Sequence, residues 1–359
     1  MVKAKVYIFE KQFDGFPKED DLKLIEEDLP EIKNGEFLAE AVYLSVDPYM
    51  RAYAPRLQTG TTFIGSQVSK DVKELQYSFY KMNPKHKKSG LSRAKILNFL
   101  LANTLLVSSV GELIQYPTEF KWTVDLLPLS LTKFWRSSSF FGHRSSRNAR
   151  APINICMQNT AYFGLLEVVK PKEGDTLVVT GAGGAVGSLV GQIGKIKGCK
   201  VIGILGSDEK GKWLVDELGF DGFINYKTAD LNKALKELAP NGINCYFDNV
   251  GGEISSTILR HMVRFGRIGV CGCISTYNEK DPKASIVQYP MVFSELRMEG
   301  LHVTRWSDRY TEGILQNKKW IEEGKLKYRE TVTEGFENMF KAFTGMLKGE
   351  NFGKAVVKV

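Results

Sequence analysis

The chain has 359 residues, 43% of them hydrophobic, and a formal net charge of +8. That length exceeds what one core usually supports and the apolar fraction can fill two, so neither a single small domain nor a disordered chain fits. Five cysteines, Cys156, Cys199, Cys245, Cys271 and Cys273, are odd in number and scattered, with no CxxC and only four histidines, which argues against a disulfide framework and against an assembled zinc site.

The start, Met1 to Phe9, alternates like a strand and lacks both an apolar signal core and a small-residue cleavage site. With no membrane span in the sequence either, the expected location is the cytoplasm. The charge is concentrated farther on. Residues 70 to 150 carry fourteen Lys and Arg against five Asp and Glu, leaving 35 basic against 36 acidic residues in the rest of the chain. Within that stretch, Lys81 to Lys95 holds six basic residues plus His86, and Lys133 to Arg150 holds no acid; neither shows helix or strand periodicity. One reading is a nucleic-acid surface on which Phe134, Trp135, Phe140 and Phe141 stack bases. The plainer reading, a solvated loop foreign to the surrounding fold, is preferred because basic low-complexity tracts are more often disordered than specific.

Leu177 to Val179 reads as a buried strand, and Ala182, Gly184 and Gly187 then take the three positions of a glycine fingerprint before a helix over Ser188 to Ile196. Gly184 lets a backbone approach a pyrophosphate and Gly187 lets the helix lie close on the strand, while the free amides of the first turn face the anion. A glycine-rich turn alone also closes ordinary hairpins. A second apolar strand, Lys200 to Leu205, follows at the spacing a βαβ unit requires. An acid at its end would select NAD, yet Leu205 runs into Gly206 and Ser207, and Lys210 lies one turn into the next helix. An ammonium there suits a 2′-phosphate as a point charge, so NADPH is favoured; Asp208 and Glu209 fit a helix start, beside which Lys210 could also be a solvated residue.

Strands and helices alternate through residues 213 to 304, as in a doubly wound sheet. Asn244 to Asp248 and Gly266 to Gly272 are short apolar strands, and the loops after them put Asn249 and Tyr277 at the carboxyl edge, where open parallel sheets bind ligands. Each could equally be a turn residue.

Ten segments carry a resemblance. Asp47-Pro-Tyr-Met-Arg51, Leu127 to Leu131, Thr160 to Leu166, Gly184 to Ser188, Gly206 to Lys210, Asn225-Tyr-Lys227, Tyr246 to Gly252, Ile274 to Asn278, Glu295 to Glu299 and Gly335 to Met339 look like the prostaglandin reductases. These enzymes, also called leukotriene 12-hydroxydehydrogenases, are zinc-independent medium-chain dehydrogenases/reductases. The resemblance covers roughly residues 1 to 70 and 158 to 359. It implies an α/β fold: a Rossmann doubly wound parallel sheet over residues 159–310, plus a GroES-like partly open β-barrel catalytic domain from residues 1–158 and a C-terminal return over 311–359. It also implies NADPH as cofactor, no metal, and reduction of the carbon–carbon double bond of α,β-unsaturated ketones or aldehydes such as 15-oxo-prostaglandins and alkenals.

Carried over residue by residue, the resemblance places the pyrophosphate on Gly184, Ala185, Val186 and Gly187, and the 2′-phosphate near Lys210 and Tyr226. Asn249 and the run Cys271, Gly272, Cys273, Ile274, Ser275, Thr276 and Tyr277 border cofactor and substrate. Leu301, His302, Val303 and Asn351 complete the nicotinamide side, and Tyr277 is the catalytic candidate. The partner implied is a small lipid enone or enal, with no membrane and no nucleic acid; a homodimer is common in the family. Between Lys70 and Asn159 the family pattern fails: Thr132 to Arg136 stands where a glycine-rich helix entry is expected, and Cys156 to Asn159 where a Met-Pro-Gly-Leu turn is expected. A basic, aperiodic insertion bounded by family sequence is what a retained intron or a faulty gene model would supply. It leaves open a dinucleotide-binding protein with impaired catalysis, beside a quinone reductase and an RNA-binding protein.

Overall fold

The apolar alternation at the start makes a strand buried on one face: β1 (Lys3–Phe9) pairs antiparallel with β2 (Leu22–Asp28), Val6 opposite Ile25. The computed structural model describes residues 3–30, 36–71, 104–108 and 155–359. A larger sheet is centred on β3 (Glu36–Ser45), which pairs antiparallel with β4 (Ser66–Asp71) and β5 (Thr104–Ser108). From the far end of the chain, β13 (Lys354–Lys358) lies antiparallel against β3, Val357 opposite Leu44, and β12 (Glu330–Glu334) is parallel to β13. Phe9, Leu44, Met50, Phe63, Phe343 and Val357 form the core between these strands and the helices over Tyr49–Tyr53 (α1) and Met339–Leu347, which are α1 and α9 in chain order. Of the anomalous stretch, β5 is described and is paired; the basic segments and Leu127 to Arg136 lie outside the described residues.

Cys156 to Asn159 is helical, inside α2 (Ile155–Phe163), which widens into a π-helical turn over Gly164–Val169 and stops at Lys170 with φ +53°. Six parallel strands follow: β6 (Thr176–Thr180), β7 (Lys200–Leu205), β8 (Gly222–Asn225), β9 (Ile243–Asp248), β10 (Met262–Val270) and β11 (Arg297–Gly300). Their order across the sheet is β11-β10-β9-β6-β7-β8, which in chain sequence is the 3-2-1-4-5-6 order of a doubly wound dinucleotide fold. All five residues of β6 are buried, because parallel sheets carry helices on both faces. On one face lie α3 (Ala185–Ile196) and α2; on the other, α5 (Leu231–Leu238) and α6 (Gly252–Leu259) cover Val178, Ile202 and Tyr246. Trp320 of α8 (Tyr310–Glu322) and Leu326 pack in the same core as Phe163 and Leu177, so the chain stays with this sheet until about Leu326 before it returns to the barrel.

Two ties fix the returning chain, the first to the dinucleotide domain and the second within the barrel. Gly353 N–H donates to the Gly183 carbonyl at 2.8 Å, laying the returning chain across the glycine turn. Next to it the Lys354 ammonium, 2% exposed, pairs with the Asp47 carboxylate at 2.5 Å and donates to the Val46 carbonyl at 2.7 Å. Asp47 also accepts from the Ser45 hydroxyl, and it is followed by Pro48, the N-cap of α1. One buried ion pair therefore fixes both the end of β3 and the start of the helix that faces the cleft.

Candidate functional site

The glycine turn lies at the switch point between β6 and β9. Gly184 is the N-cap of α3, extended at φ −88° and ψ 177°, with no side chain capping it and no acid in the first turn. The first amides of an α-helix have no intrahelical acceptor, so those of Ala185, Val186 and Gly187 offer an anion site. A methyl group at Gly187 would stand 2.4 Å from the Gly181 carbonyl and 2.8 Å from the Ala182 Cα. Gly187→Ala should accordingly lower stability by about 1–3 kcal/mol as the helix is pushed off the strand. A denaturation midpoint equal to that of the parent chain would contradict the close approach.

At the end of β7, Ser207 caps α4 (Asp208–Asp216). Lys210 is 8% exposed, and its ammonium donates to the Gly349 carbonyl and, at 2.7 Å, to that of Asn351. Burial lowers its pKa, and the ammonium of Lys227 lowers it further. Tyr226 is 42% exposed. A side chain on Gly206 would meet Lys227 Cε at 2.8 Å and the Tyr226 hydroxyl at 3.0 Å. Gly206, Tyr226 and Lys227 thus form one face at the strand end, with Lys210 behind it. Lys227 is a residue that sequence reasoning missed; its neighbour was singled out, but only the packing against Gly206 shows which way the lysine turns.

The loops after β9 and β10 are sewn together. Asn249 donates from its side chain to the Thr180 carbonyl at 2.7 Å and from its backbone to the Thr180 hydroxyl at 3.0 Å, tying it to the end of β6. Cys271 and Gly272 N–H groups donate to the Asp248 carbonyl, Ile274 to that of Asn249 and Ser275 to that of Val250, while the Thr276 hydroxyl donates to the Cys273 carbonyl. This brings Asn249 and the whole run Cys271 to Tyr277 to one edge. The Tyr277 ring folds back over its own loop, accepting from the Cys273 N–H at 3.4 Å, and a methyl at Gly272 would lie 3.1 Å from its hydroxyl. Burial pushes the Tyr277 hydroxyl up to about 12; the Cys273 N–H opposes the rise, and Cys273, Cys271 and Tyr53 add to it. The group therefore holds its proton and can donate throughout the ordinary pH range. Cys199 and Cys245, by contrast, are buried thiols pushed up to about 11 and about 12, inert as core residues.

The barrel supplies the opposite wall. The Arg51 guanidinium, 7% exposed, donates to the Asn278 side chain and to the Gly15 carbonyl, each at 2.9 Å, and lies over the Phe13 ring. Lys280 pairs with Asp14 at 2.8 Å. The loop that carries Tyr277 is thereby held from across the cleft. Past β11, Leu301 and Val303 are buried, and the exposed His302 between them meets the Tyr53 hydroxyl of α1 at 2.8 Å. Asn351 folds onto its own turn, donating to the Gly353 carbonyl at 2.7 Å.

A doubly wound sheet with an anion-accepting turn at its switch point, walled by a partly open barrel, defines a two-domain pyridine-nucleotide oxidoreductase of the medium-chain dehydrogenase/reductase class. Residues 185–317 match the family model described as "Zinc-binding dehydrogenase" and residues 5–79 match the "N-terminal domain of oxidoreductase". Among the described residues no group of three or more His, Cys, Asp and Glu stands together as metal ligands would. The chain is 43% identical to prostaglandin reductase 1 of Rattus norvegicus across 100% of both chains, and 32% identical to the NADPH-dependent curcumin reductase of Escherichia coli (strain K12) across 96% of this chain and 94% of that one. It superposes on the crystal structure of CurA in complex with NADPH from Vibrio vulnificus with a TM-score of 0.78 at 31% identity, covering 99% of each. The chain belongs to the prostaglandin reductase family.

Proposed function

We propose that this protein is an NADPH-dependent reductase of the carbon–carbon double bond of α,β-unsaturated ketones and aldehydes, with 15-oxo-prostaglandins and alkenals as the lipid substrates. The observation that carries the reading is the protonated Tyr277 hydroxyl above Gly272 at the switch-point edge, in a chain 43% identical throughout to prostaglandin reductase 1. The residues present fit the dinucleotide. The uncapped turn at Gly184 to Gly187 takes the pyrophosphate; Tyr226, with Lys227 beside it and Lys210 behind, takes the 2′-phosphate; Asn249, Cys271 to Tyr277, Leu301 to Val303 and Asn351 border the nicotinamide side. NADPH bound there supplies a hydride to the β-carbon. Charge then moves to the carbonyl oxygen, where Tyr277 donates a hydrogen bond that strengthens as the enolate develops. The domain division that goes with this reading is a barrel over 1–158, a dinucleotide domain over 159–310 and a return over 311–359; β13 pairing with β3 supports it, and the packing of Trp320 and Leu326 moves the crossing later.

The same reading includes a homodimer. Phe265, Ile286, Tyr289, Val292 and Phe293 are each at least 60% exposed, and β11 is an edge strand next to them. An open strand beside an apolar patch of this kind favours a second copy. It also places the protein in the cytoplasm; among the described residues, no helix is long and apolar enough to cross a membrane.

Two lysines separate cofactor choice from folding. Lys227→Ala should weaken NADPH binding by about tenfold, the 1.4 kcal/mol of one charge-assisted contact, and leave NADH binding and thermal stability unaltered. Lys210→Ala removes the ammonium that holds Gly349 and Asn351 as well, so it should lower the melting temperature too. Equal losses of NADPH and NADH in the Lys227 variant would contradict the 2′-phosphate assignment. The overall reading is tested by following NADPH consumption with a 15-oxo-prostaglandin, an alkenal and a quinone in parallel. Turnover of the first two to saturated carbonyl products is expected; turnover of the quinone alone would make the protein a quinone reductase.

A further inference from the structure

Reduction of an enone needs a proton at the α-carbon after the hydride has arrived, and Tyr277, placed at the carbonyl oxygen, cannot be the group that gives it there. A second hydroxyl lies on the other wall of the cleft. Tyr53, in α1, meets His302 Nε2 at 2.8 Å, and His302 Nδ1 meets the Thr304 hydroxyl at 2.6 Å. The contact crosses between domains: Tyr53 belongs to the barrel, whereas His302 follows β11 between the buried Leu301 and Val303. His302 is exposed while Tyr53 is half-buried, so the bonds run from solvent into the cleft. Tyr53 also stands near enough to Tyr277 to act on it electrostatically.

Building on the enone-reductase reading, we propose that Tyr53 and His302 form the proton path of the reaction, Tyr53 delivering the α-carbon proton and His302 restoring it from solvent. The Tyr53 O–H bond breaks as the α C–H bond forms, and the electron pair comes from the enolate. His302 Nε2–H then passes its proton to the Tyr53 oxygen as Nδ1 takes one from the Thr304 hydroxyl, which regains it from water, so the ring stays neutral throughout. Thr304, donating from its hydroxyl to Nδ1, favours the tautomer that carries the proton on Nε2, facing Tyr53. Charged and titratable groups face the pair from both domains among the described residues. Arg56 lies 5.6 Å from the Tyr53 ring centre and Tyr49 packs on it at 5.9 Å, both from the barrel side; Tyr277 faces it from the β10 loop, and Arg305 follows His302 in its own segment.

The test uses an enone with one hydrogen on the α-carbon, reduced in D2O by the wild type, Tyr53→Phe, His302→Leu and His302→Ala. The wild type should place deuterium on one face of the α-carbon. His302→Leu and Tyr53→Phe should lower kcat by roughly 100-fold, the lower end for a lost general acid, and should spread the deuterium over both faces as water takes over. Added imidazole should restore rate and facial selectivity to His302→Ala, which a purely structural histidine would not allow. Full rate with one-face labelling in His302→Leu would overturn the proton path while leaving the reductase reading intact. Absence of enone turnover in the wild type would instead remove that reading, and this proposal with it.

Discussion

Tyr277→Phe should lower kcat on an enone by roughly 100- to 1,000-fold, the cost of removing one preorganised donor to a developing oxyanion, and leave the NADPH Kd unchanged. The expectation rests on two features of the site. The hydroxyl is held above Gly272 by the Cys273 N–H, and burial pushes its pKa up to about 12, so it is a fixed neutral donor and needs no deprotonated partner. A donor that binds mainly the transition state lowers kcat and kcat/KM together when it is lost. Steady-state kinetics beside a cofactor titration decide the matter. Unchanged kcat would remove the role from Tyr277, and a matching loss of NADPH affinity would show that the ring supports the cofactor pocket instead.

Asp47→Ala should destabilise the barrel domain by about 3–5 kcal/mol, because the Lys354 ammonium would stay buried with its charge uncompensated. Both side chains are nearly inaccessible, at 2% and 3%, so water cannot replace the carboxylate without opening the junction of β3, α1 and β13. The double variant Asp47→Leu with Lys354→Met removes both charges at similar volume and should recover most of the loss. Urea denaturation of the three proteins measures it. A single-variant loss below about 1 kcal/mol, the range of exposed pairs, would mean that the pair is solvated in practice. Asp47 stands at the head of the Asp47-Pro-Tyr-Met-Arg51 segment, so the same change should also disturb Arg51 and Tyr53 and reduce activity more than folding alone explains.

The dinucleotide half was legible because its signals are local. A buried five-residue strand, a glycine turn and a helix of small residues follow one another within twenty positions, and each step has its own pattern. Even so, the helix read from Ser188 begins at Ala185, since Gly184 in its extended conformation is the cap and the residues after it already have helical geometry. The edge residues Asn249 and Tyr277 could be placed by counting strands. Their side-chain bonds could not, because Thr180 and Asn249 are far apart in sequence and meet only once β6 and β9 lie side by side. Pairing of β13 with β3 joins the two ends of the chain, and no periodicity records it; only the family resemblance pointed there. Lys210 shows the limit most clearly. Its position one turn after a strand suggested a phosphate ligand, yet its ammonium also holds the carbonyls of Gly349 and Asn351, a link across roughly 140 residues that spacing does not contain. Tyr53 carried no signal, and His302 was read from the resemblance only as bordering the nicotinamide side; their pairing exists only once the domains close on each other.

The measurement that bears most directly on the central claim is the destination of the hydride. NADPH carrying deuterium at the transferable position, supplied with an α,β-unsaturated ketone and this protein, should yield a saturated ketone with deuterium on the β-carbon. Deuterium on the carbonyl carbon of an allylic alcohol would show that the cleft reduces the carbonyl, and the assignment of Tyr277 and the enone chemistry built on it would be wrong.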